Sequence, residues 1–92
     1  MQRMHTMLPG LGEPVAMTVA AGSIADGQTL AELDMRGVTG ATVLALLRGD
    51  EHVVSPRGDL RLQAGDTIAV AGTHDAVDGV RGMVAPQTAP PG

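Results

Sequence analysis

The sequence has no phenylalanine, tyrosine, tryptophan or cysteine, and its six basic side chains are all arginine. Each absence excludes something. Without aromatics the core has to be assembled from Val, Leu, Ile, Met and Ala, with no side chain of the kind that buries roughly 150 to 250 Å² at once. Without cysteine there are no disulfides and no thiolate metal sites, and the redox compartment cannot be read from the chain. No apolar run reaches the ~18 residues that a spanning helix needs, and the N-terminus lacks the basic, apolar, small-residue order of a signal peptide. The formal charge of −4 across 92 residues leaves no clustered basic face of the kind that tracks a phosphate backbone, so no nucleic-acid partner is expected. A chain this short makes one small domain that buries only about 60 to 65 % of its unfolded surface, a deficit that oligomerisation would offset.

What is present is concentrated between Thr42 and Ala71. Apolar runs at Thr42 to Leu47, Val53 to Val54 and Ile68 to Ala71 are separated by turn-forming residues at Arg48 to Glu51, Pro56 to Asp59 and Ala64 to Asp66. The pattern predicts an antiparallel meander. Gly49-Asp50 suits a two-residue hairpin loop, because glycine takes the positive φ required at its first central position. Both parities of Thr42 to Leu47 are apolar: Val43, Ala45 and Leu47 are expected on one face, Leu44 and Leu46 with Thr42 on the other. A strand of that kind is covered on both sides, and here another subunit would supply the second cover.

Upstream, Met1 to Gly12 is rich in Met and then in Gly and Pro, and reads as a linker or the tail of a preceding segment. Its Met1, Met4 and Met7 would form one stripe of a short helix, explained by packing or fraying rather than by a soft-metal site. Val15 to Val19 alternates as a strand, and Gly22 to Gly27 is a loop. Thr29 and Glu32 have capping-box spacing ahead of a helix of one or two turns, and Met35 to Gly40 is a second connection. Thr73 caps a last helix with Ala76, Val77, Val80 and Val84 at the 3.6-residue period, weakened by Gly79 and Gly82. Ala85 to Gly92 has little to bury and is expected to be a disordered tail. The fold class that follows is α+β: a small, mostly antiparallel sheet with a short helix after strand 1 and a C-terminal helix, two-layered and dimeric, over residues 13–84.

Catalytic patterns are weak. His52, Ser55 and Asp59 have the composition of a triad, but His52 and Ser55 are three apart on one strand and point to opposite faces. His5, His52 and His74 lack metal-ligand spacing, so no metal is expected. Gly10-Leu11-Gly12 is only part of a dinucleotide fingerprint. The aspartates sit where turns and caps want them. No enzyme is indicated.

Three segments carry a resemblance. Gly27-Gln28-Thr29-Leu30-Ala31-Glu32-Leu33, then Arg36 with Thr39 to Arg48, then Pro56 with Leu62 to Gly72, are similar in order and spacing to the TrkA C-terminal domain, also called RCK_C. The lead-in Leu8 to Val19 and Arg36 to Ala45 look most similar to versions that end cation:proton antiporters. The resemblance implies a regulatory, ligand-sensing module, usually a homodimer. Such a module is fused to or associated with a membrane potassium transport system or a cation:proton antiporter, in the cytoplasm at the inner face of the membrane. Some members of the family bind cyclic di-AMP between two subunits, with an Arg before the central strand and an Asn at its start. Arg36 matches that Arg, and its planar fork suits a phosphodiester. Thr42 stands where the Asn would be. A ligand cleft lined by Arg36, Val38, Gly40 and Thr42 is therefore expected, taking a small anionic ligand such as a nucleotide and no obligate cofactor. The plainer reading of Arg36 is a surface guanidinium bonding loop carbonyls, and that of Arg48 a solvated hairpin charge opposite Glu51. The alternative function is a purely structural dimerisation module of a transporter, with no ligand.

Overall fold

The computed structural model describes residues 13–87. The linker, the Met stripe, His5, the Gly10-Leu11-Gly12 fragment and residues 88–92 of the expected tail lie outside the described residues. The elements run β1 (Val15–Thr18), α1 (Leu30–Leu33), α2 (Met35–Thr39), β2 (Thr42–Arg48), β3 (Glu51–Val54), β4 (Thr67–Ala71) and α3 (His74–Val84). All strand pairs are antiparallel, in the order β1-β4-β2-β3. The expected α+β class, with helices after the first strand and at the C-terminus, is what the chain adopts.

The β2–β3 hairpin closes at Arg48 and Glu51, with Gly49 at φ 60° in the first central position. The strands do not continue as a meander. β4 pairs with the edge of β2 opposite β3, because the chain from Ser55 to Asp66 is drawn away from the hairpin by the segment ahead of α1. Gly27 N donates to Leu62 O at 2.9 Å, Leu62 N to Gln28 O at 2.9 Å, Leu30 N to Leu60 O at 3.0 Å and Ala31 N to Gly58 O at 2.9 Å. Those bonds carry residues 58–62 across to where Gly65 N, donating to Val19 O at 2.8 Å, starts β4 beside β1.

The expected faces of β2 are also corrected. Val43 pairs with Val70 and Leu46 with Ile68, while Ala45 pairs with Ala69 and Leu47 with Thr67. The register slips between Val43 and Ala45, so Leu44 is the extra residue of a β-bulge. Val43 and Leu46 thus share the face of the fully buried Ile68 and Val70, and Ala45 and Leu47 take the other. On that other face Ala16, Ala45, Ala69, Leu47 and the 77 % exposed Val54 have no covering element among the described residues.

The helices lie on the face of Ile68. Thr73 caps α3 by accepting from Ala76 N at 3.1 Å, and Ala76, Val77, Val80 and Val84 are buried at the expected period. Each fully buried aliphatic such as Leu46, Leu62, Ile68 or Val80 contributes about 1.5 to 3 kcal/mol. Gly79 has a use that periodicity does not reveal: a Cβ there would stand 2.9 Å from Thr39 Cγ2, so its absence lets α3 lie close against α2. Met35 to Gly40 is not a plain connection, since its first five residues form α2.

Candidate ligand cleft

The cleft is built from two short helices joined at one strained residue. Thr29 accepts from Glu32 N at 3.0 Å and Glu32 Oε1 accepts from Thr29 N at 2.8 Å, the two halves of the capping box that starts α1. The Thr29 N–H first, and then the Thr29 hydroxyl, hold the Glu32 carboxyl below its ordinary pKa. Asp34 ends α1 and caps α2 at once, in left-handed backbone at φ 48°, with its carboxylate accepting from Gly37 N at 3.3 Å. A Cβ at Gly37 would meet that carboxylate, so a side chain there would have to displace the Asp34 cap. Gly40, at φ 86°, stops α2 and donates to Arg36 O at 2.9 Å, and Thr39 Oγ1 accepts from Ala41 N at 3.0 Å. The chain thereby turns from Arg36 straight into β2.

Between α1, α2, the start of β2 and Pro56 lies a concavity of ≈ 280 Å³. Leu30, Met35, Val43 and Pro56 make it largely apolar, while Asp34, Arg36 and Thr42 contribute its polar groups. Gly58 completes the wall, and a Cβ there would stand 3.2 Å from Ala31 Cβ. Arg36 is exposed, and among the described residues its guanidinium makes neither an ion pair nor a hydrogen bond to a loop carbonyl. An apolar floor with an uncommitted planar cation at its edge can take a flat apolar ring and an anionic group attached to it.

The structure therefore brings Arg36 and Thr42 to one concavity. Val38, 66 % exposed, and Gly40, which faces Ala76, do not border it. Sequence reasoning missed Leu30, Asp34, Pro56 and Gly58 as lining. Pro56 and Gly58 arrive only because residues 58–62 pair with residues 27–31, a long-range contact that leaves no local pattern.

Arg48 is corrected. It is not a solvated hairpin charge: its Nε donates to Asp66 Oδ1 at 2.8 Å and its Nη2 to Asp66 Oδ2 at 2.7 Å and to Arg61 O at 2.9 Å. The fork holds the buried Asp66 carboxyl below its ordinary pKa, helped by the Gln63 N–H at 2.8 Å. His52 pairs with Leu47 on the uncovered face, whereas Ser55 and Asp59 border a groove beside β3. Among the described residues no three His, Asp or Glu side chains converge as a metal set.

Comparison with known proteins gives one family and consistent relatives. The family model described as the TrkA-C domain matches residues 15–84. The chain is 32 % identical over 81 residues to a Trk system potassium uptake protein TrkA homolog of Archaeoglobus fulgidus, a match covering 88 % of this chain and 18 % of that protein, so it spans under a fifth of that relative. Among solved structures, the RCK_C domain dimer of S. agalactiae BusR in complex with c-di-AMP is 26 % identical, with TM-score 0.72, covering 78 % of this chain and 89 % of that one. The RCK C domain of the potassium transport protein KtrA in complex with c-di-AMP is 25 % identical, with TM-score 0.67, covering 74 % and 78 %. A longer BusR structure, in complex with its promoter DNA, shares the fold at 24 % identity and TM-score 0.73, covering 89 % and 39 %.

Proposed function

The chain belongs to the TrkA-C domain family, and from that premise we propose that it is a ligand-sensing regulatory domain of a monovalent cation transport system. The system is a potassium transporter or a potassium or sodium:proton antiporter, fused to or associated with this domain, which works as a homodimer in the cytoplasm at the inner face of the membrane. The ligand is a small anion of the nucleotide class, with cyclic di-AMP the leading candidate because the BusR and KtrA domains hold it. It sits in the concavity bordered by Arg36 and Thr42.

The observation that carries this reading is the uncommitted Arg36 guanidinium at the edge of an apolar concavity. A ligand that binds the folded domain alone stabilises it by about 2.7 kcal/mol at a hundred times its Kd. Thermal shift with cyclic di-AMP, AMP, ATP and NADH is the test. Arg36→Ala should abolish the shift while its own stability stays within about 0.5 kcal/mol of the parent. A shift that survives Arg36→Ala would place the ligand elsewhere. No shift with any of the four would favour the structural dimerisation module, which the uncovered apolar face of the sheet also supports. The acidic balance supports a role without nucleic acid, and unchanged DNA mobility at physiological salt would agree with it.

A further inference from the structure

The groove beside β3 gathers arginines that the cleft does not use. It has a volume of ≈ 500 Å³, and Arg48, Arg57 and Arg61, three of the six arginines of the sequence, line it around the partly buried Val53 and Leu60. Asp59 is the one acidic residue in that lining. The three guanidiniums are held to different degrees. Arg48 is fixed by its fork on Asp66, which uses Nε and Nη2 and leaves Nη1 without a hydrogen bond among the described residues. Arg61 Nη1 donates to Gly27 O and lies 3.8 Å from Glu32 Oε1. Arg57 has no ion-pair partner among the described residues. Asp66 and Glu32 thus sit against two of the cations, and Arg57 brings the charge that no carboxylate meets.

The chain enters this groove through Ser55, whose backbone is left-handed at φ 53° and whose N–H donates to Leu44 O at 2.8 Å. Glycine would take that conformation without strain, whereas a serine there sets a hydroxyl beside the arginines at a cost in backbone energy, the kind of outlier that collects at binding sites. Planar forks that are already anchored lose little freedom when they meet an oxyanion, and a phosphate offers them several acceptor oxygens at once. Pro56 lines both this groove and the cleft of Arg36, so the two concavities share a wall and no charged group.

We propose that the groove is a second anion site, separate from the cleft, which takes the phosphate of a phosphomonoester. Arg57 meets its charge, Arg48 Nη1 and Arg61 donate from anchored positions, the Ser55 hydroxyl donates to a further oxygen, and Val53 and Leu60 receive the organic stem. The phosphate can belong to a soluble ester or to the headgroup of phosphatidate, which presents the same group at a membrane surface.

Heteronuclear NMR of the chain titrated with glycerol phosphate tests the site. The amides from Ser55 to Arg61 and the Arg57 Nε–H should shift and saturate at millimolar ester. Arg57→Gln, an exposed change, should weaken this binding about tenfold, because it removes a charged hydrogen-bonding partner. Ser55→Gly should weaken it without lowering the melting temperature, a pairing of effects that a merely structural serine would not show. Arg36→Ala should leave the titration as it is. Shifts that do not saturate, or that survive Arg57→Gln unchanged, overturn the site, and a titration lost with Arg36 instead of Arg57 overturns it by returning the phosphate to the cleft. Flotation with phosphatidylcholine vesicles, with and without phosphatidate, separates the two sources. Retention that needs phosphatidate and is lost in Arg57→Gln assigns the headgroup, and glycerol phosphate binding without retention assigns a soluble ester.

Discussion

Removing the guanidinium of Arg48 should cost far more than its place beside a hairpin suggests. The Asp66 side chain is 2 % exposed and accepts three hydrogen bonds, two from Arg48 and one from Gln63 N. Arg48→Met keeps the stem that packs along the strand and leaves the carboxylate buried with one donor. Breaking a buried pair in this way costs about 3 to 5 kcal/mol, and the 32 % exposure of Arg48 argues for the lower end. At 4 to 8 °C per kcal/mol for a domain of this size, a loss of about 3 kcal/mol lowers the melting temperature by roughly 12 to 24 °C. Arg48→Met with Asp66→Leu should recover much of that, because it removes the stranded charge together with its partner. Urea unfolding at fixed chain concentration measures all three proteins. The sign with pH is set by the depressed Asp66 pKa: the pair's contribution is present in full above the ordinary carboxylate value of 3.8 and is lost as pH falls through the lower folded value. The gap between wild type and Arg48→Met should therefore close in acid. A single variant within about 1 kcal/mol of wild type at pH 7 would make this an ordinary surface pair and refute the reasoning.

Two glycines of one helix should respond oppositely. Gly82→Ala enters open space and should stabilise by about 1 kcal/mol, whereas Gly79→Ala meets Thr39 Cγ2 and should lose stability despite the same gain in helix propensity, both read by thermal melts. Leu46→Ala, at a site 1 % exposed, should cost about 2 to 5 kcal/mol in urea unfolding, while the bulged and 39 % exposed Leu44→Ala should cost less than half as much. Limited proteolysis should trim residues 1–12 and 85–92 and leave a core of residues 13–84. A melting temperature that falls by more than a few degrees in that core would mean the domain boundaries are misplaced.

The sequence by itself determined every element whose signal is local. The capping box of Thr29 and Glu32, the Gly49 turn, the three apolar runs of the strands and the buried stripe Ala76, Val77, Val80 and Val84 were all legible, because each depends on residues within a turn or two of one another. The two-glycine segment 35–40 was legible only as a connection, since a helix of five residues has no full period to display. Arg36 and Thr42 could be named from the resemblance, and they do meet at one concavity.

Tertiary structure alone decided the rest. The bulge at Leu44 exchanged the faces of the central strand, and nothing in an all-apolar run marks where a register slips. The strand order, the arrival of Pro56 and Gly58 at the cleft, and the reach of Arg48 to Asp66 all follow from the pairing of residues 58–62 with residues 27–31. Those contacts are made by main-chain groups, which every residue type carries alike, so their partners are chosen by how the chain packs and not by any pattern along it.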